Sequence, residues 1–131
     1  MNLESFTIST TLPARPETIY NAWLSSEGHS VMTGSPAEVV PEIGGAFKAW
    51  NGYIWGKTLE MEPNSRILQA WRTSEFPEES PDSRVEILFE EDAKGTKIIL
   101  KHTEIPDGQG DSYKQGWEDF YFTPMQKYFG K

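Results

Sequence analysis

Apolar and polar positions alternate over much of the chain and switch to a helical period in two places. From about Glu4 to Leu12, Phe6, Ile8, Thr10 and Leu12 fall on one face and Ser5, Thr7, Ser9 and Thr11 on the other, the pattern of a half-buried strand. Pro16 suits the first turn of a helix, and Glu17 near its positive end with an Ile19, Ala22, Trp23 stripe predicts a short helix from about Pro16 to Leu24. Ser25 or Ser26 can cap a second short helix to about Met32, closed by Gly34, Ser35 and Pro36. Strands are then predicted over Ala37 to Pro41, Ala46 to Trp50, Tyr53 to Met61, Arg66 to Thr73, Arg84 to Glu90 and Thr96 to Thr103. Asn51-Gly52 is the strongest hairpin signal, because a type I′ turn needs positive φ at both central residues.

The helical period returns in the last twenty residues. Tyr113, Trp117, Phe120, Tyr121, Pro124 and Tyr128 recur at spacings of three and four and form one apolar stripe. Asp111 as N-cap, with Ser112 and Gln115 as a capping box, would start this helix, and Pro124 should kink it or fray its end. A helix with this many rings on one side needs a broad apolar surface to cover it. The connections between the later strands are too short for parallel crossovers, so they pair antiparallel. The expected class is α+β: a curved antiparallel sheet of six to seven strands wrapped on the long C-terminal helix, with two short helices after the first strand.

Composition narrows the function. The chain of 131 residues suits one domain over 1–131 with one core, and its formal charge of −8 argues against nucleic acid as a partner. There is no cysteine and there are only two, widely separated histidines, so neither a disulfide framework nor a metal site is indicated. No apolar run is long enough for a membrane span, and the N-terminal residues lack an apolar signal segment; a cytoplasmic protein, monomeric or weakly dimeric, is expected. Five Trp, five Tyr and seven Phe are many rings for this length.

Trp71-Arg72, the Gly95-Thr96 turn before Ile98-Ile99-Leu100-Lys101-His102, the Ile105-Pro106 pair, and Gly116-Trp117 entering a helix that carries Pro124 resemble the activator of Hsp90 ATPase homologue-like family. That family belongs to the START and birch-pollen-allergen-like (SRPBCC) helix-grip superfamily. The resemblance spans Ser5 to Phe129, with a departure at Arg15, where a small capping residue usually precedes the proline. It implies a helix-grip with an apolar cavity between sheet and C-terminal helix. It also implies a connection with chaperones and the stress response, although the separate N-terminal domain of full-length co-chaperone activators has no counterpart among these residues.

Candidates to line the cavity are Phe47, Trp55, Leu59, Ile87, Leu100, Trp117, Phe120 and Tyr121; the same rings could instead fill a closed core. Lys57, sharing a face with Trp55 and Leu59, could pair with a ligand carboxylate, or snorkel to an edge. His102, beside Ile98 and Leu100, is either a structural histidine with a hydrogen-bond partner or a ligand-polarising group, and His29 reads as a surface histidine. Arg72 and Glu60 could form a cross-strand pair on the outer face. No nucleophile elbow, catalytic triad or phosphate loop is present, and no cofactor is implied. The leading expectation is binding of a hydrophobic or aromatic small molecule, the alternative is a chaperone-interacting regulatory module, and a cyclase- or hydrolase-like enzyme comes third.

Overall fold

The computed structural model describes residues 3–130, so Lys131, the end of the predicted C-terminal helix, lies outside the described residues. Strand β1 (Glu4–Leu12) leads into helices α1 (Pro16–Trp23) and α2 (Ser26–Thr33). A meander follows: β2 (Ala37–Val39), β3 (Ala46–Ala49), β4 (Ile54–Glu62), β5 (Arg66–Thr73), β6 (Ser83–Asp92) and β7 (Gly95–Ile105). The chain ends in helix α3 (Gly110–Trp117), a π-helical turn (Glu118–Phe122) and helix α4 (Thr123–Phe129). The seven strands form one sheet in the order β1-β7-β6-β5-β4-β3-β2, and every neighbouring pair is antiparallel. The α+β helix-grip expected from the pattern is therefore present.

Alternation decides which face each strand buries. On β5, Ile67, Gln69, Trp71 and Thr73 point inward, and on β6, Ser83, Val85, Ile87 and Phe89 do so. On β7 the inward set is Thr96, Ile98, Leu100 and His102. Against them lie Trp23, Met32, Trp117, Tyr121, Phe122 and Met125 from the helices. Each large apolar side chain so buried contributes about 1.5–3 kcal/mol relative to exposure.

Three local features depart from the sequence pattern. On β4, Ile54 and Thr58 are buried while Trp55 and Lys57 are exposed, so the face holding Trp55 and Lys57 is the outer one. A β-bulge between Thr58 and Glu60 leaves Leu59 without a register partner on β5 and half-buried, and it brings Met61 back toward the core. Gly56 faces Trp71 across the pair, where a Cβ would lie 1.9 Å from the Ala70 carbonyl oxygen and 2.9 Å from Phe47 Cζ. Only glycine fits there.

The second departure is the helix start. Gln109 is the N-cap residue and its side chain makes no capping bond to the helix amides; Asp111 already lies inside the helix. Glu4, more than a hundred residues away on β1, takes the capping role: its carboxylate accepts from the amides of Gly108 (3.0 Å) and Gly110 (2.7 Å). These two donors hold the Glu4 carboxyl below the ordinary glutamate range.

The third is the proline. Pro124 has no amide to return to Phe120, and the preceding turn widens so that the Thr123 amide bonds the Glu118 carbonyl. This one-residue slip rotates everything beyond it. Tyr113, Trp117 and Tyr121 stay buried as predicted, but Phe122 and Met125 join them, while Phe120 and Tyr128 turn outward at 55% and 39% exposure.

Candidate functional site: an aromatic pocket under the C-terminal helix

Strands β4 and β5, the turn between β3 and β4, and helix α3 with its π-turn border a half-open pocket of about 420 Å³. It is lined by Trp50, Tyr53, Ile54, Trp71, Ser112, Tyr113, Gly116, Trp117, Phe120 and Tyr121. Trp50 stands in the hairpin turn with φ 54°, beside Asn51 at 58° and Gly52 at 85°, so the Asn-Gly turn expected here extends its left-handed run back by one residue. That backbone places the Trp50 ring 5.3 Å from Phe120 and 6.4 Å from Tyr121. Trp71 comes from the inward face of β5, 5.1 Å from Tyr113 and 5.7 Å from Trp117. Trp117 and Tyr121, one turn apart, are 4.7 Å apart.

The polar end of the pocket is tied together by hydrogen bonds. Tyr113 donates to Gln109 Oε1 at 2.6 Å and so accepts from Thr73 Oγ1 at 2.7 Å. Gln109 Nε2 donates to the Glu75 carbonyl at 3.0 Å, and Tyr53 donates its hydroxyl to the Glu75 carboxylate. Burial, followed by the Glu75 carboxylate, pushes the Tyr53 phenol up; burial pushes the Tyr113 and Tyr121 phenols up. All three remain neutral at ordinary pH.

Beneath the pocket, both histidines are buried. Trp117 donates its indole N–H to His102 Nδ1 at 3.1 Å, which leaves the ring proton on Nε2, 2.8 Å from Ser83 Oγ. Ser83 in turn donates to the Trp71 carbonyl at 2.6 Å. Burial lowers the His102 pKa to about 3, so the ring is neutral. Both His102 ring nitrogens therefore have protein partners, one of them the Trp117 indole. His29 is not at the surface: its Nδ1–H donates to the Trp23 carbonyl at 2.9 Å and its Nε2 accepts from Tyr121 at 2.8 Å. Burial lowers its pKa too.

Of the residues singled out from the sequence, Trp117, Phe120 and Tyr121 line the pocket. Phe47, Ile87, Leu100 and His102 are buried in the core outside this lining, and Leu59 sits in the bulge. Trp55 and Lys57 occupy the outer face and do not reach the pocket, because the alternation of β4 runs from Ile54. Glu60 pairs with Arg66 at 2.5 Å, and Arg72 pairs with Asp82 at 2.8 Å, in place of the Arg72–Glu60 pair. Trp50, Tyr53, Trp71 and Tyr113 also line it and are not singled out by the sequence as cavity residues. Two signals pointed to some of them: Tyr113 shares the four-residue spacing of Trp117 and Tyr121, and Trp71 alternates with Ile67 and Gln69. Trp50 carries no periodic signal because its ring is aimed by turn backbone.

The family model described as Activator of Hsp90 ATPase homolog 1-like protein matches residues 13–130. The chain belongs to this family. It is 25% identical over 124 residues to the human activator of 90 kDa heat shock protein ATPase homolog 1, covering 95% of this chain and 36% of the human protein. It thus spans about a third of the length of the curated relatives it matches. The crystal structure of an HSP90 activator from Plasmodium falciparum superposes with a TM-score of 0.85 at 27% identity, covering 96% of each chain. A Chromobacterium violaceum protein at 21% identity and a TM-score of 0.76, covering 97% of this chain and 98% of that one, shares the fold. Among the described residues no helix is long and apolar enough to cross a membrane.

Proposed function

We propose that this protein binds an apolar or aromatic small molecule in the pocket between β4, β5 and the C-terminal helix. The supporting observation is a pocket of about 420 Å³ walled by seven aromatic rings, with polar groups gathered at one end. That size and that mixture of apolar walls and few polar anchors suit a ligand of drug-like dimensions. Burial of apolar surface, at roughly 25 cal/mol per Å², would supply affinity, and the Tyr53, Tyr113 and Ser112 hydroxyls would set orientation.

Gly116 gives a direct test. A Cβ built there meets only Phe120 Cδ2, at 3.8 Å, so Gly116→Leu would fill the pocket while improving helix propensity. Hydrophobic dyes and planar aromatics titrated against tryptophan emission should bind the natural sequence and not the variant. Equal binding to both, or no binding by any compound, counts against the pocket.

A second reading, regulation of Hsp90, is favoured by the likeness to the Plasmodium HSP90 activator, which covers nearly the whole of both chains. Stimulation of Hsp90 ATP hydrolysis by the purified protein, retained in Gly116→Leu, would establish it and separate it from ligand binding. Absence of any effect on the chaperone's hydrolysis rate would remove it.

A further inference from the structure

We propose that the occupant of the pocket is an organic cation, a tertiary or quaternary ammonium carried on an apolar body; this rests on the pocket reading above and specifies its ligand. Seven of the ten lining residues are aromatic, and none is Lys or Arg. The rings meet at steep angles: Trp50 to Phe120 at 62° and Trp71 to Tyr113 at 81° across separate elements, and Trp117 to Tyr121 at 51° along the C-terminal helix. Aromatic faces that border such a pocket present negative quadrupole potential, which attracts an alkylated ammonium, whose methyl groups pack as apolar surface while its charge is stabilised.

The surrounding charge has the matching sign. The Glu75 carboxylate is bonded to the hydroxyl of Tyr53, a lining residue. On the helix that roofs the pocket, Asp111, Glu118 and Asp119 outnumber Lys114, and the chain as a whole carries −8. Arg72, the cation nearest in sequence to Trp71, is occupied by Asp82 and by the Ser80 and Pro77 carbonyls. A carboxylate ligand would enter this site with no Lys or Arg in its lining and with Glu75 opposing it, at a desolvation cost that ring contacts do not repay.

The test compares acetylcholine with its uncharged carbon isostere, 3,3-dimethylbutyl acetate, by chemical-shift titration of the indole N–H groups. The cation should bind at least about tenfold more tightly, the factor that cation–π contact in a partly desolvated site supplies. Glu75→Gln, at an exposed position and still able to accept from Tyr53, should weaken acetylcholine several-fold and the isostere far less, whereas Phe120→Leu should weaken both, the cation more. Isostere affinity equal to or above that of the cation overturns the charge preference and leaves the pocket reading standing. If neither compound binds, the proposal falls; if the hydrophobic dyes also fail, the pocket reading falls with it.

Discussion

Acidification should unfold this protein partly through its buried imidazoles, and His102 allows the effect to be isolated. In the folded state His102 is fully buried, accepts from Trp117 and donates to Ser83, with a pKa lowered to about 3. In the unfolded chain it titrates near 6.5. Between these values the unfolded state binds one more proton, so stability is full above about pH 6.5 and is lost as pH falls, at about 1.4 kcal/mol per pH unit. From pH 6.5 to 5 the loss from this residue alone is about 2 kcal/mol, and His29, lowered in the same direction, adds to it. His102→Gln keeps an acceptor for Trp117 and a donor for Ser83 but cannot take the proton. Urea unfolding followed by tryptophan emission at pH 7, 6 and 5 should show the variant losing about 2 kcal/mol less than the natural sequence across that range. Identical slopes would mean that His102 is protonated or exposed in the folded state, refuting the network drawn around Trp117.

The π-turn makes a contrast between neighbours: Phe122→Ala should cost about 3–5 kcal/mol and Phe120→Ala under about 1, measured by chemical denaturation, whereas an unbroken α-helix would reverse the order. Gly56→Ala drives a Cβ against the Ala70 carbonyl and should destabilise by about 3 kcal/mol, while Lys57→Ala next to it stays within about 0.5, both read as shifts in the urea midpoint. Glu4→Gln should speed amide exchange at Gly108 and Gly110. Because the Glu4 carboxyl is lowered by those amides, the stability it contributes is present above the unfolded glutamate pKa and disappears as pH falls through the lower folded value, a dependence the variant should lack.

What the sequence made legible follows its periodicities. Element order, the antiparallel meander and the buried trio Tyr113, Trp117 and Tyr121 were readable because period-2 and period-3.6 patterns report which side faces the core. The missed features are those in which one residue offsets the count. The β4 alternation reads onto Trp55 and Lys57 because large side chains outweigh Gly56, whose inward place is dictated by contact with Phe47 and Ala70 rather than by its own hydrophobicity. Pro124 marks a disturbance of the last helix, but nothing in the local pattern says that it takes the form of a one-residue π-slip that turns Phe120 and Tyr128 outward. Glu4 capping Gly110 and His29 bonded to Tyr121 are separated by 106 and 92 residues, beyond the reach of any window along the chain. The pocket likewise depends on Trp50, aimed by a left-handed turn.

The central claim is that the space beneath the C-terminal helix accepts a ligand among its rings. Its most direct test is a titration of the five tryptophan indole N–H resonances with a compound from the dye or ammonium series. Trp50, Trp71 and Trp117 should shift together with one saturation curve, and Trp55 on the outer face should stay fixed. Shifts confined to Trp55, or none at Trp50, Trp71 and Trp117 with any compound, would contradict the account.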